Sequence, residues 1–217
     1  MLKRAKRLTH ESLLRLGLVK YRRPFAFDAG TWNDGYAVGE HEHFGELKES
    51  TRYGALVGYV RAKGSQLCIL DVGCGTGLLR SHIEDNHIRR FVGTDISDVA
   101  VAAANKLGHE RSEFYVCDVP GNELGTFDVI VCNEMLYYVP DVDDYLVRLR
   151  GLLKRDGWLI TSITRHTGDF TLHKNLDRRF KKLDAVTIKS AIVNAKWRIA
   201  CYARTSLLMI TSVPAAI

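Results

Sequence analysis

From Leu47 onward two hydrophobic patterns alternate along the chain. Short apolar runs at 67–70, 91–95, 113–116, 127–132 and 157–163 have the length of strands, and the first is bounded by glycines in the way of a strand buried on both faces. Between them apolar residues recur at helical spacing: Leu47, Tyr53, Leu56, Val57 and Val60 form one stripe, and 78–85, 99–107 and 142–153 continue the pattern, with Ser97 as an N-cap. Strands alternating with helices at this spacing predict an α/β fold, a doubly wound and mostly parallel sheet with helices on both faces. The last part changes period. Residues 184–192 and 196–204 alternate apolar with polar around a turn at Asn194, which predicts an antiparallel strand pair closing one sheet edge.

Composition fits one substantial domain. Of 217 residues, 46% are apolar and 26% charged, ordinary values for a globular chain. No run approaches the roughly 18 apolar residues of a membrane span, and the N-terminus lacks a signal-peptide pattern, so a cytoplasmic location is expected. The odd cysteine count, Cys68, Cys74, Cys117, Cys132 and Cys201 with no C-x-x-C pair, predicts reduced thiols and no structural zinc. The net charge of +6 is concentrated before residue 24, where Lys3, Arg4, Lys6, Arg7, Arg15, Lys20, Arg22 and Arg23 face the single acid Glu11. Residues 1–23 read either as a basic amphipathic helix for an anionic membrane surface or nucleic acid, or as a solvated arm. We divide the chain into a basic helix and aromatic cover over 1–46 and the α/β domain over 47–217. In that cover Phe25, Phe27, Trp32, Tyr36 and Phe44 are candidates for a lid or for packing on the domain edge. His41 and His43 share one side of an extended segment but have no third ligand in view, so no metal is expected.

The chemistry gathers where strands end, because ligands of such sheets bind beyond the carboxyl ends of the strands. The first strand runs through Asp71 into a turn with Gly73, Gly75 and Gly77, the second ends at Asp95, the third leads to Asp118 and the fourth to Asn133. Asp95 stands where a carboxylate can take both ribose hydroxyls. Asp118 could receive an adenine amino group, or serve only as a turn residue. A dinucleotide fingerprint would need its third glycine at position 78, which is Leu78. Asp71 would also repel a pyrophosphate and welcome an amine. A cationic ligand with an amino-acid moiety fits better.

These residues carry a family resemblance. Asp71-Val72-Gly73-Cys74-Gly75-Thr76-Gly77 resembles motif I of class I S-adenosylmethionine-dependent methyltransferases, and Gly93-Thr94-Asp95-Ile96-Ser97, Cys117-Asp118-Val119 and 127–132 resemble the later motifs, in order and with usual spacing. The likeness covers about residues 50–163, and the stretch from Asn133 to Val139 is similar to the small-molecule branch with nodulation-factor N-methyltransferases and sugar methyltransferases. The resemblance implies a Rossmann-like fold and S-adenosyl-L-methionine as cofactor. It further implies that the Gly73 to Gly77 loop with Cys74 holds the methionyl part, Asp95 and Ile96 the ribose side, and Asp118 and Val119 the adenine. Asn133 would belong to the cofactor-binding set, and Glu134 to Tyr138 would line the space between donor and acceptor, with Trp32 and Arg52 or Tyr53 closing over the cofactor.

Methyl transfer mainly needs alignment of the nucleophile and exclusion of water. Should a base assist, the candidates are Glu134, Tyr138 and His166, with Tyr137 or Tyr138 alternatively an aromatic wall beside the sulfonium. Asn133-Glu134-Met135-Leu136 lacks the Asn/Asp-Pro-Pro-aromatic motif of nucleic-acid amino methyltransferases, which argues against a nucleic-acid acceptor. The expected acceptor is a small molecule, in the sharpest form a saccharide, and Lys174, Arg178, Arg179, Lys181 and Lys182 could either meet its anionic groups or form a solvated helix face. Two other classes stay open at this point: a nicotinamide-dependent oxidoreductase on the same sheet, and a noncatalytic methyltransferase-like binding module.

Overall fold

The computed structural model describes residues 28–164, 169–192 and 195–204. The basic segment 1–23, Phe25, Phe27 and His166 lie outside them. A seven-stranded sheet carries the fold, in the order β3-β2-β1-β4-β5-β7-β6. Strands β1 (Leu67–Val72), β2 (Ile88–Asp95), β3 (Ser112–Val116), β4 (Phe127–Asn133) and β5 (Leu153–Thr164) run parallel, while β7 (Lys196–Arg204) is antiparallel to both β5 and β6 (Phe180–Lys189). The chain leaves β1 toward β2 and β3, then returns to β4 on the other side of β1. That reversal opens a crevice at the carboxyl ends of β1 and β4, where side chains from both can meet.

Successive residues of a strand face opposite sides of a sheet, so β1 serves two cores. Leu70 and Val72 pack with Ile130 and Cys132 of β4 beneath α5 (Val142–Leu152) and α6 (Asp169–Arg179). Ile69 packs with Phe91, Val129 and Val131 beneath α2 (Leu47–Lys63) and α4 (Asp98–Lys106). Burial on both faces explains the uninterrupted apolar runs of these strands. The Ser97 side chain caps α4 as expected, accepting from the Ala100 amide at 3.1 Å.

Three local features differ from the sequence expectation. The region 29–37, whose aromatic and glycine content shows little periodicity, forms helix α1 (Ala29–Ala37), started by Asp28 accepting the Thr31 amide at 2.8 Å. Helix α6 stands within a stretch that reads only as polar and basic, because its core contact rests on a narrow line of Leu172, His173 and Leu176. The expected helix at 78–85 is short, α3 (Leu78–His82). All five cysteines are free thiols, and among the described residues no helix is long and apolar enough to cross a membrane.

Ile130 is fully buried at the sheet centre. Ile130→Ala should lower unfolding free energy by about 2–5 kcal/mol, read as a fall in the denaturation midpoint by circular dichroism with the slope unchanged.

Candidate active site

The crevice is a cavity of about 710 Å³. Its floor is the turn after β1. The Gly73 and Cys74 amides donate to the Thr94 carbonyl of β2 at 2.7 and 2.9 Å, which pins the turn against the neighbouring strand. Gly75 has φ +53°, and a Cβ there would stand 2.7 Å from the Tyr36 hydroxyl. Both the backbone conformation and the crowded space demand glycine at that point.

Two carboxylates from adjacent strand ends sit beside this turn, and their partners differ. Asp95 accepts the Gly75 amide and the Ser97 amide, each at 2.9 Å and each on a different oxygen. A carboxylate offers about four acceptor positions, so Asp95 can still receive ligand donors. Burial nevertheless raises its pKa, against the lowering effect of those amides. Asp71 is only 1% exposed, and its Oδ1 has no hydrogen-bond partner. Burial first, and then the charge of Asp95, push its carboxyl well above the usual range.

Arg52 of α2 is also buried. Its Nε and Nη2 both reach Glu49 Oε2, at 2.9 and 2.8 Å, its Nη1 donates to Asn133 Oδ1, and the guanidinium lies over the Tyr53 ring at 4.8 Å. The Asn133 oxygen is thus taken, which sets the amide orientation and leaves its Nδ2 as the donor available at the end of β4. Further round the wall, Asp118 accepts from Tyr145 at 2.8 Å.

Aromatic side chains roof the cavity. Trp32 meets Tyr138 edge-on at 5.1 Å and His41 at 5.1 Å, Tyr36 meets His41 at 4.5 Å, and His41 stacks on Phe44 at 5.7 Å. The helix that carries Trp32 and Tyr36 is fastened through Asn33, whose Oδ1 accepts from Ser97 Oγ at 2.6 Å. Just past the end of β4, Glu134 has φ +59°, uncommon for a residue with a side chain. Its carboxylate accepts from Ser162 Oγ at 2.6 Å, the Thr164 amide at 3.1 Å, Tyr137 Oη at 3.1 Å and Thr164 Oγ1.

Of the residues proposed from sequence, Trp32, Arg52, Asp71, Gly73, Cys74, Gly75, Asp95, Ile96, Asp118, Asn133, Glu134 and Tyr138 all line this one cavity. Gly77 and Val119 stand outside its wall: Gly77 starts α3, and the Val119 side chain belongs to the core under α5. The basic residues after Lys174 do not line it either. Arg178 and Arg179 both pair with Asp143, and Lys182 with Asp177. Sequence reading missed Glu49, Tyr145, Thr164 and Trp197 as cavity residues. Each comes from an element that other contacts place, and none has a motif of its own.

Comparison with known proteins agrees with this geometry. Residues 70–159 match the family described as a methyltransferase domain. An uncharacterized methyltransferase of Schizosaccharomyces pombe is 33% identical over 127 residues, covering 52% of this chain and 44% of that protein. The ubiquinone biosynthesis O-methyltransferase of Burkholderia orbicola is 30% identical over 113 residues, 49% of this chain and 45% of that one.

Residues 70–159 resemble a methyltransferase domain.

The match to these curated relatives spans about half their length. In fold, the chain is similar to the N-methyltransferase NodS of Bradyrhizobium japonicum, solved with S-adenosyl-L-homocysteine, at a TM-score of 0.69 and 16% identity over 80% of this chain and all of that one. The sheet thus has the Rossmann-like arrangement of that methyltransferase. The chemistry of the cavity can be set against S-adenosyl-L-methionine, the cofactor that the sequence resemblance implies. Gly75 presents backbone to the cavity where a Cβ would meet the Tyr36 hydroxyl, and Asp71 keeps a buried oxygen without a hydrogen-bond partner, a match for an ammonium group. Among the described residues no cluster could hold a metal ion.

A carboxyl whose folded pKa is raised stabilises the fold only while protonated, and that contribution is lost as pH rises above its ordinary value near 3.8. Asp71→Asn should therefore raise the melting temperature of the ligand-free protein at pH 7, and the gain should shrink as the pH approaches 4, measured by thermal denaturation across that range.

Proposed function

We propose that the protein is an S-adenosylmethionine-dependent methyltransferase acting on an O or N nucleophile of a small-molecule acceptor. The observation that carries this reading is the buried Asp71 oxygen without a hydrogen-bond partner beside the glycine turn. It suits a cationic amino-acid moiety and opposes the pyrophosphate of a nicotinamide cofactor.

In this reading the turn from Gly73 to Gly75 and Asp71 hold the methionyl end, with the Asn133 amide as a further donor. Asp95 takes the ribose hydroxyls, and Asp118 the adenine amino group. When bound, the cofactor supplies an activated methyl group on a sulfonium, so the protein's part is alignment and the exclusion of water. The roof of Trp32, Tyr36 and Tyr138 serves that exclusion, and its aromatic faces can also lie against the positive sulfur. The acceptor then meets an aromatic wall without a free cation among the lining side chains, since Arg52 is engaged by Glu49 and Asn133. An uncharged ring, of a sugar or an aromatic compound, suits that surface better than a phosphorylated or acidic saccharide.

Isothermal titration with S-adenosylmethionine and S-adenosylhomocysteine tests the assignment directly. Binding of both is expected, and failure of both to bind at high micromolar concentration, with protection by NAD(H) instead, would sink it. Asp95→Ala should weaken S-adenosylhomocysteine binding by about 1–3 kcal/mol, the scale of lost charge-assisted hydrogen bonds; an unchanged affinity removes Asp95 from the ribose role. Transfer of labelled methyl from the cofactor into an extract of native cells would then identify the acceptor.

A further inference from the structure

The roof carries a polar group that its aromatic contacts leave unexplained. The Tyr36 ring packs on Trp32 at 6.1 Å and on His41 at 4.5 Å between centroids, contacts that a phenylalanine would make as well. The hydroxyl reaches the floor of the cavity instead, 2.7 Å from where a Cβ on Gly75 would stand. Tyr36 and Gly75 both line the cavity. Among the described residues the Tyr36 hydroxyl makes no hydrogen bond. Its donor and its acceptor positions are both open to a ligand.

Two hydrogen bonds fix this placement from above and below. Ser97 Oγ at the head of α4 donates to Asn33 Oδ1 at 2.6 Å, and Asn33 lies three residues before Tyr36 on the same side of α1. Below, the Gly75 amide donates to Asp95 Oδ2 at 2.9 Å. Gly75 therefore adjoins both the Tyr36 hydroxyl and one oxygen of Asp95. Burial first, and then the charge of Asp95, push the Tyr36 pKa up from its ordinary value, so the phenol keeps its proton at neutral pH. The roof thus holds an unspent O–H donor beside a carboxylate that keeps acceptor positions of its own. A sugar hydroxyl suits the space between them. It can give its proton to Asp95 and still accept on its oxygen, which an ammonium group cannot do.

We infer that the Tyr36 hydroxyl binds the cofactor's ribose, donating to a ribose hydroxyl whose own proton goes to Asp95. One sugar hydroxyl is then held from floor and roof together, and the bound ligand ties α1 down over the cavity. Tyr36 is the residue that touches the ligand, and Asn33 and Ser97 are positioning residues that set α1 at the required height. The inference rests on the methyltransferase reading of this cavity, and the experiment separates the two.

Isothermal titration on the full chain compares S-adenosylhomocysteine with its 2′-deoxy and 3′-deoxy forms. Tyr36→Phe, which keeps the ring on Trp32 and His41, should weaken S-adenosylhomocysteine binding by about three- to tenfold, the scale of one neutral hydrogen bond. For one of the two deoxy ligands the same substitution should change affinity by less than about twofold, because the partner hydroxyl is already missing. Asn33→Ala should reproduce part of the loss, and Asn33→Asp, which still accepts from Ser97, should restore affinity. An affinity for S-adenosylhomocysteine unchanged in Tyr36→Phe overturns the inference. So does an equal loss for all three ligands, which puts the contact elsewhere on the ligand or in the packing of the roof. Full affinity in Asn33→Ala overturns the part assigned to the fastening of α1. If the unmodified protein does not bind S-adenosylhomocysteine at all, it is the methyltransferase reading itself that falls.

Discussion

The carboxylate of Asp95 joins the glycine turn to the helix that follows β2. One oxygen holds the Gly75 amide of the glycine turn and the other holds the Ser97 amide at the head of α4. Ser97 in turn caps α4 and donates to Asn33 of the roof helix. Turn, helix and roof are therefore set relative to one another by one buried anion and two short links. A residue in that position does two jobs at once, since the hydrogen bonds that organise the floor leave acceptor positions for a ligand. It also explains why the burial of a second carboxylate nearby, Asp71, is tolerated. The cavity favours positive charge, and a cationic ligand relieves the electrostatic cost that both acids impose on the empty fold.

The cavity wall divides by the work its hydrogen bonds do. Around the glycine turn the polar groups keep capacity in hand: Asp71 Oδ1 has no hydrogen-bond partner, and Asn133 keeps its Nδ2 because Arg52 takes its oxygen. Beyond Asn133 the polar groups are tied to one another, as in the cluster of Glu134, Ser162, Thr164 and Tyr137. Open capacity suits binding of a polar, charged cofactor. Closed networks suit the rigid presentation of one or two groups to a smaller acceptor. The aromatic roof spans both halves, and its edge-on and stacked contacts let it exclude water without adding charge.

The α/β alternation, the mostly parallel sheet and the antiparallel pair at its edge are all present, since strands buried on two faces must be apolar throughout and an edge pair need not be. The glycine turn and the acids at successive strand ends were equally readable, because a close backbone approach demands glycine and each strand end points to the same crevice. Helices α1 and α6 were not. Each buries only a narrow line of side chains, so the periodic signal is lost among aromatic and basic residues whose partners lie far away in the chain.

By itself, then, the chain determined the sheet and the place of the cavity with the glycines and acids at its floor, all of which follow from local pattern and from spacing within one strand-turn-helix unit. Tertiary structure alone decided what each polar group is free to do. Glu134 reads as a candidate base until Ser162 and Thr164, brought beside it by the pairing of β4 with β5, fill its oxygens. Arg178 and Arg179 read as anion-binding residues until Asp143 of α5 pairs with both. Hydrogen bonds and ion pairs are made between residues distant in sequence, so the role of a charged side chain is set by which partner the fold delivers to it.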